Sequence, residues 1–206
     1  MMSDLGTGDV LDRAVVMLAD EFVGVFAPET VERCVRDSYG QLSKGATVAT
    51  YLPLFAQRFA RERLLAARRA THGGGAGVLF VCTHNSGRSQ IAAAWLRALA
   101  PEVEVWSAGT EPGGEVPPAV VDAMREVGID VSEAFAKPLT DEVIGAAGVV
   151  VTMGCGEACP VVPGRRYEDW ILAHPLGPTV ASVRSARDEI RERVESLVVS
   201  LRLVAS

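Results

Sequence analysis

Apolar residues recur at helical spacing through the first third of the chain and gather into short runs after it. Leu11, Val15, Leu18 and Phe22 stand three or four positions apart, which is one face of a helix beginning near Asp9. Gly24 to Ala27 breaks that pattern. Pro28 suits the first turn of a second helix, where the N–H it lacks has no partner to lose. Val31, Val35, Tyr39 and Leu42 line this helix, with Cys34 beside the stripe as a small buried hydrophobe. Gly40 and Ser43-Lys44-Gly45 are expected to end it. A third helix is predicted from near Thr50 to about Ala70. Pro53 is tolerable in its first turn, and Leu52, Phe55, Phe59 and Leu64 form its apolar face. Three helices on short links make a small bundle.

The pattern changes after Thr71-His72-Gly73-Gly74-Gly75-Ala76-Gly77. Five small residues behave as a flexible coil reaching about 12 Å, so the parts on either side are expected to touch. Beyond it, strand-like runs alternate with helical stretches. Strands are predicted at Val78–Val81, Val103–Ser107, Gly148–Met153 and Arg166–Ile171, the third a β-branched run of the buried parallel kind. Helices are predicted from Ser89 to about Ala100, over Pro117–Val127 and Asp141–Ala147, and from Thr179 to about Leu203, with Thr179 or Ser182 as the last cap. This alternation implies an α/β fold, a four-stranded parallel doubly wound sheet behind the helical piece. The resulting division is a three-helix domain at 1–72, a glycine-rich linker at 73–77 and a catalytic domain at 78–206.

Composition narrows the class. The net charge is −6, so the chain lacks the basic balance of a general nucleic-acid binder. Arg58, Arg61, Arg63, Arg68 and Arg69 cluster on the third helix, where a solvated face is the expectation and a DNA-binding surface the alternative. Apolar stretches fall short of the roughly 20 residues that cross a bilayer. The polar, acidic start lacks the layout of a secretion signal, so a cytoplasmic location is expected. Cys34, Cys82, Cys155 and Cys159 are then more suited to catalysis or redox work than to structural disulfides.

The chemistry concentrates at Val78–Gln90, V-L-F-V-C-T-H-N-S-G-R-S-Q. Cys82 follows a strand, and Arg88 opens a helix six residues on. Thr83, His84, Asn85, Ser86, Gly87, Arg88 and Ser89 can therefore wrap one tetrahedral oxyanion, with Arg88 gripping two of its oxygens. The helix start and Arg88 favour the Cys82 thiolate. Asn85 tolerates the left-handed conformation, Gly87 permits unusual backbone geometry, and the Thr83 and Ser89 hydroxyls are close enough to bond the sulfur. Ligands of such sheets bind beyond the carboxyl ends of the strands, and Cys155 lies just past one, on the same rim as Cys82.

V-C-T-H-N-S-G-R-S-Q resembles the active-site loop of the low-molecular-weight tyrosine phosphatase superfamily. Gln90, V-V-V-T-M-G-C-G-E-A-C-P at Val149–Pro160 and Y-E-D-W at Tyr167–Trp170 resemble its arsenate reductase branch. The helical front piece resembles an extension carried by some actinobacterial members. The resemblance implies attack of Cys82 on arsenate, with phosphate or sulfate as competing oxyanions. A Cys82–Cys155 disulfide and then transfer to Cys159 would lead to thioredoxin as reductant. Cys155 and Cys159 are spaced for one helical turn, with Gly154 and Gly156 letting the segment move. Two alternatives stay open: release of arsenite by mycothiol with mycoredoxin, and a phosphatase acting on phosphate esters. A non-catalytic arsenic- or DNA-binding regulator is a third. Zinc at the cysteine pair is disfavoured because it needs two further ligands, and taking Cys82 would end catalysis.

The chain departs from the family at its general acid. His174 precedes Pro175 where the family has Asp, so it either donates the proton or is a plain loop residue. Asp169 is a back-up acid with a structural role expected. His84 stands where relatives often have Gly. Ala93 replaces a Glu that helps some reductases bind potassium, so no potassium dependence is expected. No metal and no cofactor are expected either.

Overall fold

The computed structural model describes residues 6–44, 50–71, 75, 77–156, 159–173 and 176–205, with side chains to Arg202. Three helices come first: α1 (Thr7–Glu21), α2 (Pro28–Ser43) and α3 (Leu52–Thr71). Leu11, Leu18, Phe22, Val31, Val35, Ala56, Ala60 and Leu64 make their shared core. Pro28 opens α2. Gly40 lies inside α2 and does not end it, because contact with α3 outweighs the roughly 1 kcal/mol that glycine costs a helix. Cys34 is half-buried, its S–H directed to the Ala60 carbonyl at 3.7 Å.

The remainder is α/β: β1 (Gly77–Cys82), α4 (Arg88–Leu99), β2 (Val105–Gly109), α5 (Pro118–Arg125), α6 (Asp141–Ala146), β3 (Ala147–Thr152), β4 (Arg166–Asp169) and α7 (Val180–Ala205). The strands form one parallel sheet in the order β2-β1-β3-β4. The second strand starts two residues later than its apolar run, because Val103 closes a turn onto Ala100 at the end of α4. Thr179 caps α7, its Oγ1 accepting from the Ser182 amide at 3.2 Å.

Successive residues of β1 face opposite sides, and each side has its own core. Val78, Phe80 and Cys82 face α4, α5 and α7, joined there by Val149, Val151 and Met153. Leu79, Val81, Trp106, Ala108 and Val150 face α6, and Ala66 of α3 closes the same cluster. The helical front piece therefore covers part of the sheet. Phe55 of α3 also stacks on Phe135, rings 4.8 Å apart.

The arginines of α3 do not form one solvated face. Arg63 is buried and bonds Asp37 and Ser38 of α2 and Glu142 of α6. Its periodicity placed it among exposed charges, but its partners lie in other elements. Arg58, Arg61 and Arg69 pair with Glu133, Glu21 and Glu104. In the linker, His72–Gly74 and Ala76 lie outside the described residues. Gly75 is tied down, its amide bonding the Ala146 carbonyl at 3.0 Å. Among the described residues no helix is long and apolar enough to cross a membrane.

Candidate active site

The loop between β1 and α4 is held from inside by Asn85. This residue is fully buried with φ of +52°, a conformation that asparagine tolerates better than most side chains. Its amide nitrogen Nδ2 donates to Ser89 Oγ at 2.8 Å. Its Oδ1 accepts from the Lys137 main-chain amide and from Gln90 Nε2, both at 3.1 Å. Gln90 Nε2 also reaches the Phe135 carbonyl at 2.9 Å. The loop is thus preorganised by a buried network whose far end is the 135–137 segment, which no local pattern in the sequence signals.

Cys82 ends β1 with its thiol almost fully buried. Ser89 Oγ lies 3.0 Å from Sγ, and the Asn85 main-chain N–H donates to it at 3.2 Å. Both groups are placed to hydrogen-bond the sulfur. The Thr83 hydroxyl turns away from the sulfur and donates to the Gly154 carbonyl at 3.1 Å, pinning the cysteine loop to the one after β3. A parallel rail supports the outer side: the Thr110, Glu111 and Gly113 amides donate to the Cys82, Thr83 and His84 carbonyls. His84 is exposed at the mouth, and Ser86 and Arg88 are half-buried.

Two glycines of the site lie against neighbouring side-chain tips. At Gly87, whose φ is not unusual, a Cβ would lie 2.5 Å from the Leu176 Cδ2 methyl. Gly154 has φ of +76°, and a Cβ there would come within 2.6 Å of Arg88 Nη1. The loop after β3 therefore forms the wall against which the Arg88 guanidinium rests.

Cys155 follows that glycine. It is buried, with its S–H 4.0 Å from the Val81 carbonyl. The neighbouring Cys159 thiol pulls the Cys155 thiol from 9.0 down to about 7 against the opposing effect of burial. Its closeness to Cys155, and burial, push the Cys159 thiol up. The structure brings these two sulfurs together. It does not join them to Cys82, which packs on the opposite face of the sheet. Glu157 and Ala158 lie outside the described residues, and with them the helical turn expected across the pair. His174 and Pro175 lie outside as well. Asp169 accepts from Thr152 Oγ1 at 2.7 Å, a strand-to-strand tie. Among the described residues no group of three or more His, Cys, Asp or Glu side chains is placed to hold a metal.

Residues 77–204 match the family described as low molecular weight phosphotyrosine protein phosphatase, and residues 11–67 match a protein-tyrosine-phosphatase-like N-terminal domain. An arsenate reductase of Staphylococcus aureus (strain Newman) is 37% identical over 124 residues, spanning 58% of this chain and 93% of that relative. Among solved structures, a thioredoxin-dependent arsenate reductase of Corynebacterium glutamicum is 41% identical with a TM-score of 0.85, over 95% of this chain and 98% of the other. An arsenate reductase in the phosphate binding state is 34% identical with a TM-score of 0.54, over 61% of this chain and 98% of the other.

Proposed function

Because the chain belongs to the low molecular weight phosphotyrosine protein phosphatase family, we propose that it works as the arsenate reductases in that family do, converting arsenate to arsenite with Cys82 as nucleophile. One observation carries the redox reading over a hydrolytic one. A second thiol, Cys155, sits on the same rim in one buried cluster with Cys159, which lowers it to about 7. Hydrolysis of an ester needs no such pair.

The steps balance on three sulfurs. The Cys82 thiolate displaces one arsenate oxygen, which leaves as water once protonated. Arg88 and the amides from Thr83 to Ser89 neutralise the remaining oxygens. The proton is assigned to His174. The Cys155 thiolate then attacks Cys82 Sγ. The electron pair of the S–As bond stays on arsenic, As(V) becomes As(III), and arsenite departs from a Cys82–Cys155 disulfide. Cys159 gives up its proton and attacks Cys155 Sγ, which frees Cys82. A dithiol reductant of the thioredoxin kind reduces the Cys155–Cys159 disulfide. Since Cys82 and Cys155 pack on opposite faces of the sheet, the middle step needs Cys155 to move over the rim. Gly154 and Gly156, both with positive φ, are the hinges for this movement. In this reading residues 1–72 and 78–206 are two domains joined at 73–77.

The test is arsenite production by the purified chain with thioredoxin and thioredoxin reductase, run beside mycothiol and mycoredoxin. Turnover with thioredoxin that drops to at most one round in Cys155→Ser is the expected result. Normal turnover of Cys155→Ser with thioredoxin rejects the relay. Turnover with mycothiol alone replaces it. Brisk hydrolysis of an aryl phosphate without arsenite identifies a phosphatase.

A further inference from the structure

The segment from Phe135 to Lys137 faces two ways. Its side chains meet α3. Phe135 stacks on Phe55, with the Arg58 guanidinium 5.2 Å from its ring. The Lys137 ammonium is buried and bonds both carboxylate oxygens of Glu62, at 2.8 and 2.7 Å. The main chain of the segment meets the catalytic loop instead. The Phe135 carbonyl accepts from Gln90, the Lys137 N–H donates to Asn85 Oδ1 at 3.1 Å, and the Lys137 carbonyl accepts from the Gly109 amide at 2.9 Å. Gly109 lies against the loop in turn: a Cβ there would come within 2.7 Å of the Thr83 carbonyl oxygen and 3.1 Å of Asn85 Cβ.

Lys137 is thus held at both ends. Burial works against its charge, Arg97 and Arg58 add to that, and Glu62 is the carboxylate that offsets them. A buried ammonium deprived of its partner moves toward water or gives up its proton. Either change releases the stem from α3, and the main chain at its root is what holds Asn85 Oδ1. Asn85 stands at a φ of +52° with its side chain tied, and its own N–H donates to Cys82 Sγ at 3.2 Å. A continuous line of polar contacts therefore runs from α3 to the nucleophilic sulfur.

We propose that Glu62 and Lys137 are positioning residues for the Cys82 loop, acting through Asn85, so that the front helices set the geometry of the nucleophile as well as covering the sheet. The reaction they serve is the arsenate reduction proposed above, on which this role rests.

Lys137→Met in the full chain tests the role. Methionine fills much of the same space, and Glu62, partly exposed, can turn to water. Thermal unfolding fixes a temperature at which the variant stays folded. There, kcat for arsenate with thioredoxin is expected to fall about tenfold, since a displacement near 1 Å costs on the order of 10²-fold and a smaller one less. KM is expected to stay within about twofold, because Arg88 rests against Gly154 and still grips the anion. A spectroscopic signature needs no substrate: in nitrogen–proton correlation spectra the Asn85 main-chain and side-chain amide signals shift in Lys137→Met, while those of α1 stay in place. Glu62→Gln, which leaves an oxygen for the ammonium, shows a smaller change of the same kind, and it carries the test if Lys137→Met does not fold. Unmoved Asn85 signals, or a kcat equal to wild type, overturn the role. Shifted Asn85 signals in a chain that makes no arsenite reject the reductase reading and leave the positioning of the loop standing.

Discussion

Asn85 joins the halves of the catalytic loop, because one side chain serves Ser89 with its nitrogen and Lys137 and Gln90 with its oxygen. Asn85→Ala strands those groups in a buried site. A loss of about 1–3 kcal/mol in stability is expected, read from urea unfolding, together with reduced arsenate turnover. The Gly154 position makes a sharper test. Gly154→Ala forces the chain off a positive φ or pushes Arg88 aside. A displacement near 1 Å costs on the order of 10²-fold in rate, so kcat/KM for arsenate should fall by about that factor. The Cys155–Cys159 pair predicts a pH profile. With its thiol lowered from 9.0 to about 7, Cys155 is increasingly thiolate above neutrality and protonated below it. Its alkylation rate, followed by peptide mass spectrometry, should rise through pH 7. In Cys159→Ala the rise should move toward 9.0, because the neighbouring thiol that lowers it is gone.

At the scale of elements, α3 acts as a brace. Arg63 ties it to α2 and α6, Glu62 ties it to Lys137, and Ala66 closes the sheet face that carries Cys155. Glu62→Ala leaves the Lys137 ammonium buried without its carboxylate, and loss of one partner of a buried pair costs about 3–5 kcal/mol. The pH dependence has a definite sign. Burial holds Lys137 below its ordinary value of 10.5, so the unfolded chain keeps that proton longer than the folded one. The cost is full where lysine is charged in both states and shrinks as pH rises toward 10.5. Denaturation of Glu62→Ala at pH 7 and pH 10 checks this: a deficit that does not narrow contradicts it. The brace also marks how far the sequence was legible. Local pattern located the three helices, the strand-loop-helix around Cys82, the left-handed Asn85 and the Ser89 contact. It missed Arg63, the Gly154 partner of Thr83 and the Lys137–Glu62 pair, because each depends on residues far apart in the chain. Gly40 was misread as a stop because tertiary packing overrode its propensity.

On the scale of the whole molecule, the front helices and the sheet share buried surface rather than only a tether. Phe135 stacks on Phe55, and the 135–137 segment it belongs to anchors the catalytic loop through Gln90. The sheet order has a further consequence during synthesis. β1 is flanked by β2 and β3, and its register with β3 pairs Gly77 with Ala147. When β1 leaves the ribosome, neither neighbour has been made, and the second arrives about 70 residues later. Contacts among α1, α2 and α3 are local and form quickly, while the parallel pairing around β1 carries a large loop-closure entropy. The helices can thus be folded while the apolar V-L-F-V stretch is still unpaired, and Ala66 of α3 belongs to the face that Leu79 and Val81 will occupy. An N-terminal position for the bundle gives the nascent strand a partner surface before it has a sheet.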